Sequence, residues 1–233
     1  PQGGQIGYDP WLHTSAWVKA ASAALAKKGA TLVAVDTNPI DAVWPDRPAP
    51  SAARLVVHDD RFAGRSAADK RQAIADWLVE TGADAAVLSA LDSIAWAFNI
   101  RGKDVDRTPV ALAYAIIHAD ATADLYVAPE KMDESVAQHL GNAVRVRDGV
   151  TFAAALRDFA GKTVVADPER AVAAIFDGLQ EGGATVLPLR DPAVLPKAIK
   201  NDVEIAGHKA AQARDGAALS RFLHWVSVEA PKG

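Results

Sequence analysis

The sequence contains no cysteine, which excludes disulfides and thiolate chemistry and fits a reducing, cytoplasmic compartment. It has no run of about 18 consecutive apolar residues, so no membrane span is expected. A basic surplus is also lacking. The 25 Lys and Arg stand against 29 Asp and Glu, a formal net charge of -4, which argues against non-specific nucleic-acid binding. No GxGxxG or P-loop pattern follows a strand, so a nucleotide-binding fold is not supported. There is no GxSxG elbow, and the six histidines are far apart with no HExxH spacing. Pro1-Gln2-Gly3-Gly4 has neither a basic n-region nor an apolar h-region, so no signal peptide is expected. The missing initiator Met, and an end at Pro231-Lys232-Gly233, lead to the expectation of a piece of a longer chain. Internal repeats and low-complexity tracts are absent.

What is present is ordinary for a globular protein: 233 residues, 50% of them apolar and 23% charged, enough to bury a real core. Residues 1–50 read as a small β–α–β piece. Gln5-Ile6-Gly7-Tyr8 is strand-like, Thr14 or Ser15 can cap a helix through Trp17 and Leu25, and 31–35 is an apolar, β-branched run expected to be buried on both faces. Asn38 caps a turn, and Pro45, Pro48 and Pro50 stiffen a linker. Residues 51–200 read as a mixed α/β domain. Strands are expected at 54–58, 85–88, 110–118, 123–127, 144–146, 163–166 and 185–189, with 110–118 and 123–127 forming an antiparallel hairpin. Helices are expected from Ser66 to Gly82 with Ile74, Trp77, Leu78 and Val79 on the apolar side, over 129–140, over 150–159, and from Asp167-Pro168-Glu169 onward with Pro at the first position. The sum is a mixed sheet of about six strands covered by helices. Residues 201–233 read as one long amphipathic helix, opened by an Asn201/Glu204 capping box and with nothing after it to pack against.

Three places carry candidate chemistry. Leu91 to Gly102 reads as a turn capped by Asp92, with Ile94, Ala95 and Phe98 buried, running into a loop where Asn99, Arg101, Lys103, Asp104, Asp106 and Arg107 crowd around Gly102. Trp96 borders that loop, where an amphipathic ring can cover a ligand, and Arg101 can reach a carboxylate or carbonyl with its planar fork. On spacing alone this is an inter-element loop with surface charges. His208 lies in the first turns of the last helix, where an isolated histidine is ordinarily a surface or packing residue. His58-Asp59-Asp60 can bind a cation but reads better as solvated turn chemistry. Of the six tryptophans, four are expected in the core.

Four blocks of the chain resemble, in order, the three-domain type of aminopeptidase P, of the creatinase or pita-bread superfamily. Residues 7–14 resemble the end of its first domain, and 38–48 its "NLIDxIWxDRP" linker. Residues 91–110 resemble its "LDxIAWLFNxRGxDVxxxPV" signature. Residues 197–204, Gly207-His208-Lys209 and Pro231-Lys232-Gly233 resemble the entry to its catalytic domain. The resemblance implies that 1–50 is the remnant of a first N-terminal domain plus linker, 51–200 a creatinase-like N-terminal domain, and 201–233 the first helix of a truncated pita-bread peptidase domain. It implies a metallopeptidase that removes the residue preceding a penultimate proline. Its two divalent ions, manganese in most members, would be held by two Asp, one His and two Glu, all beyond Pro231-Lys232-Gly233, so this chain itself carries no cofactor or metal ligand. The same resemblance makes His208 the catalytic-domain histidine that hydrogen-bonds substrate or moves protons. It places Trp96 and Arg101 where the N-terminal half walls off the substrate. The partners it implies are short proline-containing peptides, the remainder of the catalytic domain and a second subunit of a homodimer, with no nucleic acid and no membrane. Creatinase or prolidase activity fits less well, because the linker points to the three-domain type. Two other readings stay open: a non-catalytic interaction module that borrowed this fold, and a small-molecule binding domain using Trp96 and Arg101.

Overall fold

A computed structural model describes residues 3–232. The first unit is β1 (Gln5–Tyr8), α1 (Ser15–Ala26), β2 (Thr31–Ala34) and the short α2 (Pro39–Val43), with β1 and β2 paired in parallel. Thr14 caps α1 by accepting from the Trp17 N–H at 3.3 Å, and Asn38 caps α2 through the Ile40 N–H at 2.9 Å. The expectation that β2 is buried on both faces fails. Thr31, Val33 and Ala34 are exposed, because β1 is its sole sheet neighbour among the described residues. This unit leans on the main domain through backbone bonds, Ala173 N–H to His13 O at 2.9 Å and Ala16 N–H to Pro168 O at 2.9 Å among them.

In the main domain the elements run β3 (Val56–Val57), α3 (Asp60–Ala63), α4 (Ala67–Thr81), β4 (Ala85–Leu88), α5 (Leu91–Ala97), β5 (Ile100–Arg101), β6 (Tyr114–His118) and β7 (Ala123–Val127). They continue through α6 (Glu134–Leu140), β8 (Val144–Asp148), α7 (Phe152–Ala155), β9 (Thr163–Ala166), α8 (Ala173–Glu181), β10 (Thr185–Leu187) and α9 (Val194–Ala198). Six strands form a mixed sheet in the order β10-β9-β4-β6-β7-β8, antiparallel around β6 and parallel elsewhere. Successive side chains of a strand point to opposite faces, and the core divides accordingly. Ala86, Leu88, Ile117, Leu125 and Val165 face one layer with Ile74, Leu78, Ile94 and Phe98 from α4, α5 and the residue after it. Ala85, Val87, Ile116, Val164 and Ala166 face the other with Phe152, Leu156, Ile175 and Leu179. The mixed, helix-flanked sheet expected from the sequence is therefore present, while β3 pairs apart from it with β5.

Several local expectations are corrected. Asp133 accepts from the Val136 N–H at 3.0 Å and restarts the chain as α6, so 129–140 is a 3₁₀ turn followed by a helix. The 150–159 segment is likewise one turn of α-helix between two 3₁₀ turns. Asp167 accepts from the N–H groups of Glu169 and Asp191, each at 2.9 Å, which holds Pro168 in a turn and delays α8 to Ala173. Val79 is exposed, and the buried face of α4 takes Lys70 and Arg71 instead. Of the six tryptophans, Trp96 alone is buried and Trp77 is partly so; Trp11, Trp17 and Trp44 lie on the thin first unit, and Trp225 on the last helix. That helix, α10 (Asp202–Glu229), is 28 residues long with no buried residue, and Leu219, Phe222, Leu223 and Val228 are exposed along it.

Candidate functional site

A cleft forms where the segment after β4 meets the first turns of α10. Ala90, not Asp92, is the N-cap of α5, because the Asp92 carboxylate pairs with the Lys197 ammonium on α9. Ile94, Ala97 and Phe98 sink into the core and anchor the turn. The chain then passes through Asn99 at φ 48°, a left-handed conformation that Asn tolerates better than most side chains. Arg101 follows on β5, its Nη1 donating to the carbonyls of Ala95 and Ile100 at 2.9 Å each. Gly102 has no room for a side chain, since a Cβ there would lie 2.6 Å from that of Ala111. Asp104 closes the loop, accepting from the Leu112 N–H at 2.7 Å and pairing with buried Lys131.

The opposite wall is α10, fixed by its capping box. Asn201 Oδ1 accepts from the Glu204 N–H and Glu204 Oε2 from the Asn201 N–H, both at 3.0 Å. Asn201 Nδ2 donates to Ala63 O at 2.8 Å and ties the helix foot to α3. The three residues singled out in the sequence, Trp96, Arg101 and His208, line one cleft of about 920 Å³, together with His58, Glu204 and Val110. His208 is exposed, and its ring makes no hydrogen bond to the described residues. The carboxylates of the His58-Asp59-Asp60 turn are committed elsewhere: Asp59 caps α3 through the Arg61 N–H, and Asp60 accepts from Asn99 Nδ2, both at 2.9 Å.

The charge on the lining is uneven. Arg61, Arg101, Lys197 and Lys200 outnumber Asp92 and Glu204. Burial, then the nearby Arg101 and Lys70 charges, hold His58 below its ordinary range against the opposing pull of Glu204 and Asp59, which favours the neutral imidazole. Burial also lowers the Arg101 guanidinium, with Glu204 acting the other way, yet an arginine stays charged at any physiological pH. The arrangement thus offers a cationic donor, two imidazoles, one of them exposed, and an indole.

Sequence reading missed Lys70, which supports this wall from behind. Its ammonium donates to Asn99 Oδ1 at 2.6 Å and Trp96 O at 3.2 Å, and sits 4.7 Å over the Trp96 ring. Burial lowers its pKa to about 8. A lysine on a charged helix gives no local signal of this, because its partners lie 26 and 29 residues away. His58 and Glu204 were visible only as turn and cap residues.

The sequence profile of the Creatinase/Prolidase N-terminal domain family matches residues 46–204, more than half of the chain. The chain belongs to this family. This creatinase/prolidase N-terminal domain protein is 37% identical, over 98% of its length, to the Probable Xaa-Pro aminopeptidase P of Aspergillus clavatus, and equally so to that of Paracoccidioides brasiliensis (strain Pb03). It spans 36% and 39% of those relatives, little more than a third. Its fold superposes on the X-prolyl aminopeptidase of Caenorhabditis elegans, a cytosolic enzyme with a di-nuclear active site, at a TM-score of 0.90 and 28% identity, covering all of this chain and 39% of that one. The likeness to aminopeptidase P first carried by four short blocks therefore extends along nearly the whole chain.

Proposed function

We propose that this creatinase/prolidase N-terminal domain protein is the accessory portion of a metal-dependent Xaa-Pro aminopeptidase. In this reading 1–50 is the end of a first domain with its linker, 51–200 the second domain, and 201–233 the first helix of the peptidase domain. The observation that carries it is the convergence of Trp96, Arg101 and His208 on one cleft; similarity to Xaa-Pro aminopeptidases along 98% of the chain supports it. The substrates are short peptides with proline in the second position. Trp96 walls the site with an apolar face, Arg101 donates to a peptide carbonyl or carboxylate, and His208 hydrogen-bonds substrate or shuttles a proton. The surplus of Arg and Lys on the lining suits the oxygen-rich end of a short peptide. The protein works in the cytoplasm as a homodimer.

The parent activity implies two divalent metal ions, proposed to be manganese. The residues present do not fit that group: among the described residues no set of three or more His, Asp or Glu can hold a metal ion. The metal ligands therefore belong, in this reading, to the part of the relatives that this chain does not span. The test is an assay of the pure 233-residue chain with added Mn²⁺ and a proline-containing tripeptide. Binding of the peptide without release of its first residue is expected. Proline-specific release by this chain alone would overturn the accessory reading.

A further inference from the structure

Behind the cleft lies a buried group that does not line it. Asn99 is fully buried, and every polar atom of its side chain is committed. Oδ1 accepts from Lys70 Nζ at 2.6 Å, while Nδ2 donates to Asp60 Oδ1 and to Arg65 O, each at 2.9 Å. Its backbone carbonyl accepts from the His58 N–H at 2.8 Å. Asn99 therefore holds the chain at both ends of α3: Asp60 opens that turn, and Arg65 follows Gly64, which closes it. From the same turn Ala63 O receives the Asn201 amide at 2.8 Å. On the other side Lys70 bonds the Trp96 carbonyl and caps its ring. One buried pair thus joins both walls of the cleft.

We infer that Lys70 and Asn99 are positioning residues, which act through Trp96 and the α3 turn to fix the spacing between the Trp96–Arg101 wall and the foot of α10. Neither side chain lines the cleft. A buried amide with all donors and acceptors used can take one orientation only, since any other strands polar atoms in a dry site. The left-handed backbone at Asn99 is stabilised by the same bonds, so loss of the side chain frees the backbone as well. The bearing of this device on peptide handling rests on the proposed function; the positioning itself does not.

The test compares the full chain with Asn99→Gly, which tolerates the positive φ but has no amide, and Lys70→Met, which keeps the aliphatic stem but loses the donors. Amide hydrogen exchange is followed at Glu204 and Ile205, at the foot of α10, and along β4 and β6. Each variant is expected to speed exchange at Glu204 and Ile205 by about tenfold, with little change in the sheet. The double variant should go no further, because both changes break one device. Lys70→Arg, which keeps charge and donors, should restore part of the protection. Acceleration confined to the sheet, or no change at α10, would overturn the inference and leave the pair as ordinary core. In a parallel arm the tripeptide Ala-Pro-Ala is titrated into all variants. If the parent chain binds it and the variants bind about tenfold more weakly, the positioning carries to the ligand. If the parent chain does not bind it, the peptide reading fails while the exchange result still decides the positioning.

Discussion

Gly64 and Asn201 lie so close that a Cβ at position 64 would sit 2.8 Å from Asn201 Cγ. Gly64 also ends α3 at φ 66°. The absence of a side chain serves two needs at once: a left-handed turn, and access for the amide that caps α10. Gly64→Ala is expected to lower the unfolding free energy by about 2 kcal/mol, roughly half from the backbone and half from displacing Asn201. Gly82→Ala is the control, since Gly82 has φ 74° with nothing within 4 Å of a Cβ; it should cost only about 1 kcal/mol. Denaturant midpoints of the two variants decide it. Equal losses would mean that the Asn201 contact contributes nothing.

Lys70 makes stability depend on alkaline pH in an unusual direction. Burial lowers its pKa to about 8 from 10.5 in the unfolded chain, so between those values the unfolded chain holds a proton that the folded one has released. Folding is then linked to proton release, and stability rises with pH across that window. The cost of burying the charge is fully present below pH 8 and is removed toward pH 10.5, a change of about 3 kcal/mol at most. Lys70→Met lacks this dependence. The difference in unfolding free energy between the parent chain and Lys70→Met should therefore move in favour of the parent from pH 7.5 to 9.5, the other lysines and tyrosines cancelling. Parallel pH profiles would show that Lys70 titrates normally.

Much of this architecture was legible because local chemistry and global packing agree. The runs 85–88 and 163–166 read as strands and are strands, buried on both faces. Ser66, Asn38 and Asn201 read as caps and each accepts a helix N–H, and of the two candidates Thr14 and Ser15 it is Thr14 that caps α1. Failures arose where a distant partner overrides a local preference. Asp92 is a good cap by type, but Lys197, 105 residues away, takes its carboxylate. Trp17 sits at core spacing on a helix that none of the described residues cover on that side, so it stays half exposed. At the candidate site, Trp96 and Arg101 stood out because they share one short segment. That His208 lies across from them is a tertiary fact, set by the Asn201–Ala63 bond, and no spacing in the chain encodes it.

Arg101 offers the most direct check on the cleft as a peptide site. Its fork already serves two carbonyls from one nitrogen, Nη1, which sets the guanidinium plane and leaves other N–H donors for a ligand. A lysine at this place keeps the charge but has a single rotatable ammonium, unable to bond both carbonyls and present a second donor in a fixed direction. Arg101→Lys should therefore weaken binding of Ala-Pro-Ala by about tenfold, the loss of one charge-assisted bond, while costing only about 1 kcal/mol of stability for the carbonyl bonds. Raising the salt concentration should weaken peptide binding to the parent chain and to Arg101→Lys alike, because the charge is retained, and should affect Arg101→Gln less. Calorimetric titration at two ionic strengths separates these outcomes. Unchanged affinity in both variants would remove Arg101 from the binding surface, and with it the wall on which the peptide reading depends.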